Sequence, residues 1–137
     1  MLQYRKIEIY TSEQARWEGR PLYDAMVQFV HDLKIAARCL VTRGIEGSYE
    51  NGEIATGRLE VLSYNMPLRI TIVVPGVEAE KVLSKVEGMD LDGIVVVEDL
   101  NVISHKTHGL LIPKATKVRD IMRLTLKRLI RKQVSTK

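Results

Sequence analysis

Two β-α-β units in succession predict a mixed α/β (α+β) domain of the ferredoxin-like βαββαβ type. Such a domain is a four-stranded antiparallel sheet with two helices on one face. Three observations carry this expectation. Residues 3–10 alternate with period two, residues 22–33 repeat apolar side chains at three- and four-residue steps, and a β-branched run at 68–74 leads through Pro75-Gly76 into a second, shorter amphipathic segment.

In the first strand Tyr4, Lys6, Glu8 and Tyr10 face one way, and Arg5, Ile7 and Ile9 the other. A polar loop follows, with Ser12, Glu13, Gln14, Arg16 and Gly19. Pro21 marks the helix start, where a missing N–H costs nothing. Leu22, Ala25, Met26, Phe29, Val30 and Leu33 then form one stripe. Residues 35–45 read as a largely buried strand. The polar segment 46–53 carries the strong turn dipeptide Asn51-Gly52. A strand region covers 57–74, interrupted near Asn65-Met66-Pro67, and 77–89 is a helix with Val82, Leu83 and Val86 inward. Gly88 and the Asp90-Leu91-Asp92-Gly93 turn close that helix, and the last core strand is Ile94–Val97 or runs on to Ile103. Strands apolar on both faces cannot leave one face in water, so self-association is expected.

The 137 residues suffice for one core domain, here 1–104, followed by a basic extension at 105–137 that is helical from about 116. No apolar run reaches the roughly 20 residues a bilayer-spanning helix needs. The N-terminus opens on a polar alternating stretch rather than a charged n-region before an apolar h-region, so a cytoplasmic location is expected. The single Cys39 excludes an internal disulfide and a multi-cysteine metal site, and 5% aromatics is thin for a base-stacking platform. Charge is divided unevenly. Residues 114–137 hold nine basic residues and one acid, a net +8, whereas 1–113 hold twelve basic and sixteen acidic residues, a net −4.

Arg20-Pro-Leu-Tyr-Asp24 at the first helix start, Thr42-Arg-Gly-Ile-Glu-Gly47 before the polar loop, Arg58-Leu59 after it and Pro67 before the next strand form an ordered set. It resembles the domain of unknown function 190 family, whose members are similar to the nitrogen-regulatory PII proteins. The resemblance spans about residues 3–104. It implies a homotrimer with sheets packed toward a central axis, a ligand-responsive loop at 46–57 that contacts a protein or transporter partner, and clefts between subunits that hold a small ligand. An adenine nucleotide is the ligand implied by analogy. Against it, the stretch Gly88-Met-Asp-Leu-Asp-Gly93 has two carboxylates and no Lys or Arg, a composition that repels a triphosphate.

At the base of the loop, Arg43, Gly44, Glu46 and Gly47 have two readings. As a ligand cleft, the glycines admit close backbone approach, Arg43 offers a bidentate anion donor and Glu46 accepts from an amine or hydroxyl. As a strand exit, the glycines serve bends and the charges are solvated. Arg20 and Arg58 join the cleft or form surface ion pairs worth ~0–1 kcal/mol. Tyr49, with Glu50 and Asn51 beside it, suits partner docking, or is only a hairpin tip. His105 and His108 have helical metal-pair spacing but sit in a loop-like context without a neighbouring carboxylate or cysteine, so no metal is expected. His31 reads as a helix-surface residue and Cys39 as a small core hydrophobe. No catalytic motif is present (GxSxG, HExxH, GxxxxGK[ST], or GxGxxG after a strand), and no enzyme is expected.

In the extension, Val118, Ile121, Met122, Thr125, Leu129 and Ile130 share one helical stripe, and Leu124 and Leu126 widen it. Lys117, Arg119, Arg123, Lys127, Arg128, Arg131 and Lys132 supply the charge. Such a helix packs on the core or on a neighbouring subunit, lies on an anionic membrane surface, or meets nucleic acid. The functional expectation is therefore a PII-like regulatory, ligand-binding protein. The alternative is a polyanion-binding module acting through the basic helix.

Overall fold

The computed structural model describes residues 1–58, 61–62 and 65–107. In chain order the elements are β1 (Leu2–Ser12), β2 (Arg16–Trp17), β3 (Arg20–Pro21), α1 (Leu22–Asp32), β4 (Arg38–Arg43), β5 (Glu46–Ser48), β6 (Ile54–Arg58) and β7 (Val61–Leu62). β8 (Pro67–Pro75), a 3-10 turn (Gly76–Glu78), α2 (Ala79–Glu87) and β9 (Ile94–Val102) complete them. The main sheet has the order β4-β8-β1-β9 and is antiparallel at every pairing. With α1 between β1 and β4 and α2 between β8 and β9, this is the expected ferredoxin-like arrangement.

Period-two alternation decides which side chains meet. Register places Ile7 opposite Ile72 and Ile9 opposite Ile70, with Cys39 and Val41 of β4 continuing the same rows. All four isoleucines are fully buried beneath Met26 and Val30 of α1 and Val82 and Val86 of α2. Burial of each such side chain contributes about 1.5–3 kcal/mol relative to exposure. α1 starts directly after Pro21 and stops at Leu33, where Lys34 turns to a left-handed φ of 54°. α2 begins two residues later than the stripe suggests, because Gly76–Glu78 is wound as a 3-10 turn.

Residues 35–45, expected as a largely buried strand, contain β4, in which only Cys39 and Val41 are half-buried and Arg38, Leu40, Thr42 and Arg43 are exposed, because β4 is an edge strand covered on one face alone. Three further features depart from the expectations. The polar loop after β1 contains a small ribbon, Arg16 opposite Pro21 and Trp17 opposite Arg20, whose turn residues Glu18 and Gly19 both have positive φ. The segment expected as a loop at 46–57 is a β-hairpin, with Glu46 opposite Thr56 and Ser48 opposite Ile54. The strand expected from 57 is divided, since β6 turns back on β7 and β8 begins at Pro67.

The sheet face away from the helices is mixed rather than apolar. Lys6 lies 3.2 Å from Glu98 and 3.6 Å from Glu8 across its centre, amid exposed Leu40, Tyr10 and Val96. The polar half of the β1 alternation overrides the apolar edges there. The apolar excess lies instead on the edge strand β9, where Ile94, Val95, Val96 and Val97 are 39–49% exposed on both faces.

Burial beneath α1 pushes the Cys39 thiol from 9.0 up to about 11. The folded state therefore holds this proton more tightly than the unfolded chain. Its contribution to stability is complete below about pH 9 and disappears as pH rises to about 11. Denaturant midpoints measured from pH 8 upward are expected to fall across that window, and to fall less in Cys39→Ala. Alkylation of the native thiol at pH 8 is expected to be slow and to accelerate on unfolding.

Candidate functional site

The β5–β6 hairpin leaves the sheet between its second and third core strands. Its base is shaped by Pro67. Gly44 N–H donates to the Pro67 carbonyl at 2.7 Å, and a methyl group on Gly44 would lie 2.8 Å from Pro67 Cγ, with 3.0 Å for Gly47. Close approach of the proline ring thus accounts for both glycines. Beside them, the Arg43 guanidinium donates to Glu13 Oε1 at 2.7 Å, an exposed pair joining β4 to the segment after β1. Glu46 is exposed at the first hairpin residue.

The turn closes on itself. Tyr49 N–H donates to the Glu53 carbonyl at 2.9 Å, Gly52 N–H to the Tyr49 carbonyl at 3.0 Å, and Glu53 N–H to Asn51 Oδ1 at 3.0 Å. Tyr49 does not project outward as a partner contact. Its hydroxyl donates to the Asn65 carbonyl at 2.5 Å, and Asn65 Oδ1 accepts from Gln14 N–H at 2.9 Å. Glu50 and Asn51 remain exposed at the tip.

Between hairpin and body lies a cleft of about 410 Å³. The hairpin supplies Ser48, Tyr49, Glu50 and Glu53, and the body supplies Tyr10, Thr11, Asp92 and Gly93. The Thr11 hydroxyl donates to the Asp92 carbonyl at 3.2 Å and holds the loop before β9 against β1. Gly93 is required there, because with φ at 144° a Cβ would run into the Tyr10 carbonyl oxygen. Burial raises the Tyr49 hydroxyl above its usual pKa, and the carboxylates of Glu13, Glu53 and Glu50 add to this. A hydrogen bond to Glu8 raises Tyr10 likewise. Three carboxylates and several hydroxyls, with no Lys or Arg among the described lining residues, suit an amine or polyhydroxyl group. They oppose a polyphosphate.

Arg20 does not join this cleft. It lines a separate groove of about 580 Å³ with Tyr23, Asp24, Val27, Gln28 and Val41, over the outer side of α1. Arg58 closes β6, its backbone opposite Val61. Among the described residues no three His, Cys, Asp or Glu side chains are placed to hold a metal ion. No helix among them is long and apolar enough to cross a bilayer. His108 and the basic residues from Lys117 to Lys132 lie outside the described residues.

A family model for proteins described as Uncharacterized ACR, the domain of unknown function 190, matches residues 4–102. The chain belongs to this family. In this DUF190 chain the match runs from the third residue of β1 to the last residue of β9 and takes in the hairpin. The cleft residues Tyr10, Asn65 and Asp92 carried no local motif. They come together because β1, β8 and β9 end side by side.

Removing the Tyr49 hydroxyl should free the turn without disturbing the core. Tyr49→Phe is expected to cost about 0.5–1.5 kcal/mol locally. Hydrogen exchange should read this as faster exchange at the Tyr49 and Gly52 amides, with the amides of Ile7 and Ile72 unchanged.

Proposed function

We propose that this DUF190 protein is a PII-like regulatory module, a cytoplasmic homotrimer that binds a small ligand beside the 46–58 hairpin and reports occupancy to a protein or transporter partner. The observation that carries this reading is the cleft itself, whose two walls are the hairpin turn and the body. A ligand held between them changes the freedom of the hairpin directly, and the exposed Glu50 and Asn51 carry that change outward. Arg43, Gly44, Glu46 and Gly47 form the root through which the hairpin joins β4, and Arg20 is a cation a neighbouring subunit would meet. Oligomerisation is supported by β9, an edge strand unpaired among the described residues, with four consecutive exposed aliphatic residues. The acidic lining favours an amine or polyol over an adenine nucleotide in this cleft.

Native mass spectrometry of protein purified without refolding tests the reading. The expected result is a trimer retaining a small adduct. A variant with the turn 49–53 replaced by a two-residue Asn-Gly link should lose the adduct and stay trimeric. A bare monomer would overturn the proposal.

A second reading draws on the charge division, +8 in residues 114–137 against −4 in the rest. On this reading the extension binds a polyanion, nucleic acid or an anionic membrane, and three copies in a trimer add avidity. Full-length protein should bind DNA or anionic vesicles at low salt, with the binding lost on truncation after Pro113. Absence of binding by the full-length chain would end this reading.

A further inference from the structure

At the end of the sheet remote from the hairpin, a second groove of about 430 Å³ crosses the outer face. Its floor is Tyr4, Val73 and Val102, and its rim is Arg38, Ser104, His105 and Lys106. The chain after β9 folds back over β1 to make this rim. Tyr4 Oη and His105 Nδ1 are hydrogen-bonded at 2.5 Å, and their rings meet edge to face with centroids 5.5 Å apart. That bond fixes the imidazole and leaves Nε2 as the ring nitrogen open to a ligand. Arg38 starts the opposite edge strand and lies directly across from Val73. Two cations from the two edges of the sheet therefore border one depression. Neither Arg38 nor Lys106 has an ion-pair partner among the described residues. The nearest pair on this face, Lys6 with Glu98 and Glu8, is already matched.

We propose that this groove binds a small phosphomonoester. A forked guanidinium and an ammonium match the two charges of the dianion. The Ser104 hydroxyl, and the His105 Nε2–H of the tautomer whose Nδ1 accepts from Tyr4, add donors suited to a tetrahedral group, where a carboxylate would use only part of the set. The valine pair and the buried Tyr4 ring give the ester's organic part an apolar seat. All lining residues belong to one chain, so no neighbouring copy contributes to the site, which requires only that this end of the outer face stay open in the trimer proposed above. Of residues 108–137 only Asp120 bears an acidic side chain, so the extension supplies little of its own to occupy a cationic groove.

The test is an NMR titration of the full-length protein with phenyl phosphate, inorganic phosphate and benzoate. Phenyl phosphate is expected to shift the Arg38, Val73, His105 and Lys106 amides saturably and to bind more tightly than the other two probes. Arg38→Gln and Lys106→Gln, both at exposed positions, should each weaken it about tenfold or more. Phenyl phosphate producing no saturable shifts at millimolar concentration would overturn the proposal. So would benzoate or inorganic phosphate binding as tightly as phenyl phosphate, or undiminished binding in Arg38→Gln.

Discussion

The pairing of β1 with β8 is the constraint on which the other elements depend. These are the two central strands, and their facing isoleucines, Ile7 with Ile72 and Ile9 with Ile70, are the floor on which both helices rest. A slip of one residue would turn the isoleucines outward and bring Lys6 and Glu8 under the helices, at the desolvation cost of buried charge. The register is thus held by an energy difference far larger than any single surface contact. Once it is set, the positions of β4, β9 and the loops at both sheet ends follow.

Pro67 stands at the junction between this core and the hairpin. It is the first residue of β8, opposite Ser12 of β1, and its ring presses on Gly44 and Gly47 at the hairpin root. The hairpin is therefore seated on the central strand pair, and the Tyr49 hydroxyl ties its turn to the Asn65 carbonyl. A projection with a rigid root and a lightly held tip can be biased by a ligand without strain passing into the core. The two ends of the sheet also differ in charge. The cleft under the hairpin is lined by carboxylates and hydroxyls, whereas the groove at the opposite end is bordered by Arg38, His105 and Lys106.

Most of the fold was legible in the sequence because its strongest signals are local. The stripe Leu22, Ala25, Met26 and Val30 is the buried face of α1, and the β-branched run before Pro75 is β8. The ribbon at 16–21 is not legible because a two-residue pairing leaves no periodic trace, and its turn uses Glu18 at positive φ, a residue type without that preference. The hairpin reads as a loop for a related reason. Glu46, Gly47 and Ser48 are weak strand formers, held in β5 by pairing with β6. Of the candidate site, the hairpin root was legible. The cleft was not, since Tyr10, Asn65 and Asp92 stand far apart in the chain.

By itself the sequence determined the βαββαβ order, the buried stripes of both helices and the division of charge between body and extension. These are properties of spacing and composition, which the chain carries at short range. Only the tertiary structure decided that Arg43 faces Glu13, that Tyr49 turns inward to Asn65, and that Arg38 and Lys106 border one groove. Each joins residues at least 16 positions apart in the chain. Their proximity is produced by the antiparallel register, which no local window of residues records.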